Sequence, residues 1–216
     1  MTIQRVLSPG KSPPQRSHRA AAGAVRIIGG RFKRSKLAVP DVPGLRPTPD
    51  RVRETVFNWL GQTLAGRRVL DLYAGSGALG LEAASRDAAA VLLVEQDPRC
   101  AAAITAAIQR LGAVGAQVRC ADALAATQAL ARHGERFDVV FIDPPYASAQ
   151  QTAALAAALP LLSDHALVYV ETDDPALFTA LDAATWEVWR RSRAGQVHFA
   201  LLRRSNTVRP SAPQTA

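Results

Sequence analysis

Downstream of Gly66 the chain alternates between two kinds of segment, and this rhythm restricts its fold more than any other feature. Apolar runs of strand length fall at 68–72, 90–95, 116–120, 137–143 and 166–171. Between them lie alanine-rich stretches of helical length at 78–86, 98–111, 123–132 and 149–162. Strands separated by helices predict a parallel sheet, because parallel neighbours need a crossover of a dozen or more residues. Helices on both faces then account for strands that are apolar throughout rather than alternating. The rhythm breaks at "TWEVWRRSRAGQVHFALLRR", where two β-rich runs flank Arg193, Ala194 and Gly195. That pattern predicts a terminal hairpin that closes an α/β sheet with an antiparallel strand.

The chain upstream is different in kind. "VRIIGG" and "KLAVP" flank the basic "RFKRS", which predicts a small hairpin with its charge in the turn. A proline-punctuated connector follows, and Thr48 before Pro49 predicts an N-cap with proline at the first helical position. The helix it opens has Val52, Val56, Trp59, Leu60 and Leu64 on one face. The organisation expected is a disordered basic tail (1–24), a basic hairpin and helix extension (25–65), an α/β domain (66–204) and a flexible C-terminal tail (205–216).

Charge divides the chain along the same lines. Residues 1–40 hold nine Lys or Arg and no acid, whereas the remainder holds 17 basic and 18 acidic residues. A near-neutral body with a cationic arm points to a polyanionic partner, since clustered Lys and Arg displace counterions from a phosphate backbone. No apolar run approaches the ~18 residues that span a membrane, and the N-terminus lacks the apolar stretch of a signal peptide. Cys100 and Cys120 have no CxxC spacing, so reduced thiols, no metal site and a soluble cytoplasmic protein are expected. A monomer is expected as well.

"VLDLYAGSGALGLEAASR" places Gly75, Ser76 and Gly77 in a GxGxxG run between strand and helix, with Glu95 twenty residues beyond Gly75. Spacing alone satisfies a dinucleotide fingerprint. Asp71, four residues before the first glycine, weighs against it, because a carboxylate there repels a pyrophosphate. The same acid suits S-adenosylmethionine (AdoMet), which has no phosphate and carries a sulfonium and an ammonium. "DLYAGSG", with Tyr73 inside it, resembles motif I of AdoMet-dependent methyltransferases. The strand count with its terminal hairpin likewise resembles the seven-stranded, Rossmann-like fold of their class I. That resemblance implies that Glu95 accepts the ribose hydroxyls and that Asp122, beside Ala123, receives the adenine amino group. Asp122 by itself reads equally as a helix cap. Asp97 reads as a cap and Asp87 as a turn residue, so neither joins the site.

"FDVVFIDPPYASAQ" ends the fourth strand in an acid, two prolines and a tyrosine. Pro144 and Pro145 stop the strand and fix the loop; with Asp143 before and Tyr146 after, they resemble the (D/N)PP(Y/F) motif of methyltransferases that modify planar exocyclic nitrogens. Such an amine is a poor nucleophile because its lone pair is delocalised into the ring. The Asp143 carboxylate and the Pro144 carbonyl can accept its two N–H groups and aim the lone pair at the methyl. Proline fits there because it fixes φ and has no competing N–H. Tyr146 can stack on the base, which must be flipped or single-stranded to arrive.

"RIIGGRFKRSKLAVP", "LRPTPDRVRETVFNWL", "DPPY", "ETD" and "AGQVHFALL" together resemble the RsmD family over about 26–204. The resemblance implies methylation of a guanine N2 in small-subunit (16S) ribosomal RNA, free or in an assembling 30S subunit. On it, Arg26, Arg31, Lys33, Arg34, Lys36, Arg46 and Arg51 are expected at the RNA. Arg46, Thr48, Arg51 and Arg53 can alternatively help to close the cofactor pocket. A DNA adenine-N6 methyltransferase shares the cofactor and DPPY, although no spare segment is sized to read sequence. A nicotinamide-dependent oxidoreductase is opposed by Asp71, and a non-catalytic RNA-binding protein by the intact clamp. His18, His133, His165 and His198 show no spacing that calls for a catalytic base.

Overall fold

A computed structural model describes residues 23–45, 48–145 and 150–205. The two expected tails therefore fall almost wholly outside the described residues, as do Arg46 and Tyr146. The N-terminal hairpin pairs β1 (Ala24–Arg26) antiparallel with β2 (Lys36–Ala38), in register Val25 to Leu37. Helix α1 (Asp50–Leu60) follows.

The body then runs β3 (Arg68–Asp71), α2 (Ala78–Ser85), β4 (Ala90–Glu95), α3 (Pro98–Leu111), β5 (Ala116–Cys120), α4 (Ala123–Arg132) and β6 (Phe137–Ile142). It continues through α5 (Gln151–Ala158), one 3-10 turn (Leu159–Leu161), β7 (Leu162–Thr172), the short α6 (Leu177–Ala180), β8 (Trp186–Ala194) and β9 (Val197–Arg204). Seven of these strands form one sheet in the order β5-β4-β3-β6-β7-β9-β8. The first five are parallel, and β9 lies antiparallel to both β7 and β8. Strand order reverses between β3 and β6, the place where open α/β sheets leave a crevice for ligands.

Two apolar layers sandwich the sheet. Val52, Val56 and Phe57 of α1 pack with α2 and α3 against Val69, Phe141, Tyr169 and Phe199. Leu155 and Ala158 of α5 join Leu130 of α4 and Phe178 of α6 against Val140, Ile142, Val168 and Leu202. Phe57 sits tilted on Phe141, 5.9 Å between centroids, so α1 of the N-terminal extension packs into the core of the sheet.

Four expectations need correction. Leu64, expected on the helix, lies beyond α1, which ends at Leu60 before Gly61. Thr48 does not cap α1: Pro49 holds the cap position with no side-chain hydrogen bond, and the Thr48 hydroxyl is committed elsewhere. Leu162 leaves the helical stretch for β7, because Pro160 ends the helix and β7 extends to eleven residues. The terminal hairpin turns at Gly195 and Gln196, with Arg193 and Ala194 still in β8.

Candidate active site

Four acids converge where the parallel strands end. Asp71 closes β3, Glu95 closes β4, Asp143 follows β6, and Glu171 lies near the end of β7. Register carries the convergence: Asp71 pairs with Phe141, and Ile142 with Val170.

Asp71 is buried, and its Oδ2 accepts the Gly80 amide at 2.9 Å. Burial pushes its carboxyl up to about 7; the Gly80 amide opposes that shift and the Glu95 charge adds to it. The glycine loop is shaped for this contact. Gly77 takes φ +77° at the N-cap of α2, a left-handed conformation that favours glycine. At Gly80 a Cβ would lie 2.6 Å from Leu93 Cδ2 and 3.1 Å from Asp71 Oδ2. Ser76 is buried in the same turn.

Glu95 holds the loop from the other side. Its Oε2 accepts the Gly75 amide at 2.7 Å and its Oε1 the Asp97 amide at 2.8 Å. The expected ribose acceptor thus also pins the glycine loop to β4. Asp97 caps α3 through the Arg99 amide, as its position predicts. Asp122 caps α4 through the Ala125 amide at 2.9 Å, with Ala123 buried as the first residue of that helix. Asp122 also faces Tyr73, whose hydroxyl is pushed up to about 12 by burial and then by that charge. The Tyr73 hydroxyl donates to Gln150 at 3.2 Å, joining the glycine loop to the segment just past the DPPY stretch.

Asp143 stands at the crevice, partly exposed, with Pro144 buried behind it and Pro145 exposed. Burial, then the Glu171 carboxylate, push its carboxyl well above the usual range; the Thr48 hydroxyl pulls it down, and Asp71 adds a smaller push up. Carboxylates that raise one another in this way form a site that a cation relieves. Among the described residues no group of three or more His, Cys, Asp or Glu is arranged to hold a metal ion.

The Thr48 contact runs 3.2 Å from its Oγ1 to Asp143 Oδ2, across 95 positions of sequence. Behind Thr48 sits Arg53, fully buried, whose Nε donates to the Thr48 carbonyl at 3.2 Å and whose Nη2 donates to Asp50 at 2.6 Å. Arg53 is therefore neither an RNA contact nor part of the pocket wall. Its Nη1 faces the buried Glu82 at 3.7 Å. Glu82 in turn accepts the Ile28 and Gly29 amides, each at 2.8 Å, and Arg86 Nε at 2.9 Å. Sequence reasoning passed over Glu82, although a single acid inside the apolar "ALGLEAAS" was a signal that it had to be paired.

The expected RNA contacts scatter. The hairpin turn is fastened to the far end of α2, where Ser85 takes the Arg31 amide through its carbonyl and the Phe32 amide through its hydroxyl. An eight-residue helix spans ~12 Å at 1.5 Å per residue, so the turn stands that far from the glycine loop. Lys33, Arg34 and Lys36 are exposed there. Arg31 pairs with Asp87 at 2.9 Å and Arg26 with Asp50 at 3.5 Å, both in exposed geometry. Arg51 is exposed in the first turn of α1.

Comparison with known proteins agrees with this fold. The chain is 41% identical over 193 residues to ribosomal RNA small subunit methyltransferase D of Escherichia coli K12, covering 88% of this chain and 95% of that relative. The protein of the same name from Haemophilus influenzae is 38% identical over 189 residues, 84% of this chain and 94% of its own. The solved structure of YhhF from E. coli superposes with a TM-score of 0.72 at 40% identity, covering 84% of this chain and 98% of that one. SMU.776, solved in complex with SAH, shares the fold at a TM-score of 0.62 and 19% identity, over 79% of this chain and 52% of that one. The model of the family described as conserved hypothetical protein 95 matches residues 25–203. The chain belongs to that family, the RsmD family.

Proposed function

We propose that this protein methylates the exocyclic N2 of a guanine in small-subunit ribosomal RNA, with S-adenosylmethionine as the methyl donor. The observation that carries the reading is Asp143 at the switch point, one strand over from Asp71 and the glycine loop, with Glu171 beside it. Asp71, the acid beside the glycine loop, suits as an acceptor a ligand bearing a sulfonium and an ammonium, and repels a pyrophosphate. When bound, S-adenosylmethionine supplies a methyl carbon made electrophilic by the positive sulfur.

The protein's own residues position and polarise. Asp71 accepts the ligand's cationic end while the Gly80 amide fixes its carboxylate. Glu95 offers its remaining lone pairs to the ribose hydroxyls, and Asp122 lies at the adenine side. The Asp143 carboxylate and the Pro144 carbonyl accept the two N–H groups of the flipped base, so the nitrogen lone pair faces the methyl carbon. As the nitrogen–methyl bond forms and the methyl–sulfur bond breaks, leaving a neutral thioether, the nitrogen becomes cationic, a charge that Asp143 stabilises before the proton departs to solvent. The relatives' name, ribosomal RNA small subunit methyltransferase D, supports the RNA class. The exposed Lys33, Arg34, Lys36 and Arg51 would meet phosphates, which position RNA without specifying it.

The test is labelled methyl transfer to unmodified small ribosomal subunits, their free RNA and duplex DNA, with nucleoside analysis of the product. N2-methylguanosine on a ribosomal substrate is expected, and methyladenine on DNA would overturn the substrate.

A further inference from the structure

We propose that Thr48 is a positioning residue for methyl transfer, fixing the Asp143 carboxylate in one rotation through the hydrogen bond from its hydroxyl. The proposal rests on the guanine-N2 reading of the site. It assigns a task to the N-terminal extension that resemblance to a motif does not assign: α1 and the residue before its cap complete the acceptor.

The geometry is specific. Thr48 is 7% exposed, so its hydroxyl has little water to turn to, and it donates to Asp143 Oδ2. Oδ1 then remains to take a substrate N–H. Thr48 is itself held from behind by the Arg53 guanidinium on its carbonyl, and Arg53 by Asp50 and Glu82. Glu82 bonds the backbone of the hairpin at Ile28 and Gly29. Hairpin, α1 and catalytic strand are thereby joined by one polar path, and its last link is the Thr48 hydroxyl.

The chemistry gives that link work to do. Asp143 must be ionised to stabilise a nitrogen that turns cationic. Its surroundings act the other way: burial disfavours the charge most, and the acids facing it, Glu171 on β7 and then Asp71 on β3, add to that. Thr48 is the neighbour that favours the charged form. A hydroxyl donor to a carboxylate also prevents rotation that would turn Oδ1 from the substrate.

The experiment compares Thr48→Val, which keeps the shape and removes the donor, with Thr48→Ser, which keeps the donor. At saturating AdoMet and ribosomal substrate, Thr48→Val should lower kcat by roughly ten- to a hundredfold, the loss of a hydrogen bond to a charged group. Its AdoMet Kd should stay within about twofold, and the acid limb of its kcat profile should move to higher pH. Thr48→Ser should restore most of both. In parallel, the Asp143 carboxyl is titrated by carbon-13 NMR in the substrate-free protein, where Thr48→Val should raise the midpoint and Thr48→Ser should return it. An unchanged kcat profile and midpoint in Thr48→Val, or a serine variant no better than valine, would overturn the proposal. If wild type transfers no methyl to ribosomal RNA, the substrate reading fails, and the NMR midpoints still decide the role of Thr48.

Discussion

Arg53 and Glu82 are two fully buried charges, with Arg53 Nη1 3.7 Å from Glu82 Oε2. Their elements, α1 and α2, lie against one face of the sheet, and Glu82 further binds Arg86 and two hairpin amides. Removing one partner of such a cluster leaves an uncompensated buried charge, which costs about 3–5 kcal/mol. Glu82→Ala should therefore lower the unfolding free energy by that order, read from urea midpoints. Exchange of the Ile28 and Gly29 amides should accelerate at the same time. A loss below about 1 kcal/mol would show that the extension is anchored by packing alone.

The raised carboxyl of Asp71 makes the ligand-free protein pH-sensitive in a stated direction. Its folded value is about 7 against an ordinary 3.8, so the folded state binds the extra proton between those values. The stability contributed is fully present below 3.8 and is lost as pH rises through about 7. Asp71→Asn mimics the protonated form and lacks this loss. The variant should gain on wild type by on the order of a few kcal/mol between about pH 4 and about pH 8. It should also bind AdoMet at least about tenfold more weakly, having lost the charge-assisted contact. Parallel stability curves for the two proteins would place the Asp71 carboxyl back in the ordinary range.

Much of the framework was legible because local chemistry marks it. Asp97 with Pro98 opens α3 and Gly112 closes it, so both ends of that helix fell where expected. The same holds for α4, opened by Asp122. Leu162 was misplaced because an apolar residue after a helix reads equally as helix or strand, and only pairing with Phe137 decides. Asp71, Glu95 and Asp143 were readable from their places at successive strand ends, whereas Glu171 was given no role, since nothing local tells it from any other acid after a strand. Thr48 was not, since its partner stands 95 residues away and its local signal, a hydroxyl before proline, matches an N-cap. Arg53 had no local signal for burial at all: an arginine on a helix reads as solvated until the acid across from it is known.

Gly80 is where the backbone of α2 meets β4 and Asp71 together. A methyl group there would stand 2.6 Å from a Leu93 methyl and crowd the Asp71 oxygen that its own amide holds. Gly80→Ala should cost about 1–3 kcal/mol of stability through overpacking and weaken AdoMet binding by displacing Asp71. Calorimetric melting and titration with AdoMet read the two effects separately. Full stability together with wild-type affinity would mean that the helix slides to make room and that this contact does not set the geometry of the site.

Lys33 and Arg34 lie on the hairpin turn, a helix length away from the glycine loop. Charge reversal there should leave the AdoMet Kd within about twofold. Each phosphate contact contributes a little under one unit to the dependence of log K on log salt, so the double reversal should flatten that slope by about one to two units. Filter binding to small-subunit RNA across a salt series measures it. An unchanged slope would take the turn off the RNA path and leave Arg51, exposed at the start of α1, as the better phosphate contact.

Asp143 brings function and stability into opposition. Burial and the Glu171 carboxylate disfavour its charge in the free protein, yet a developing cation on the substrate nitrogen needs that charge. Asp143→Asn removes the repulsion and keeps the shape. It should melt above wild type near neutral pH, the pattern expected where an active site retains a strained group for activity. Its kcat should fall by at least about a hundredfold, since an amide oxygen is a weaker acceptor and carries no charge. AdoMet binding should persist, because Asp71 and the glycine loop are untouched. Turnover near wild type in this variant would remove the carboxylate from the chemistry and leave the Pro144 carbonyl as the remaining acceptor. A lower melting temperature would instead mean that the Thr48 hydrogen bond outweighs the repulsion in the resting protein.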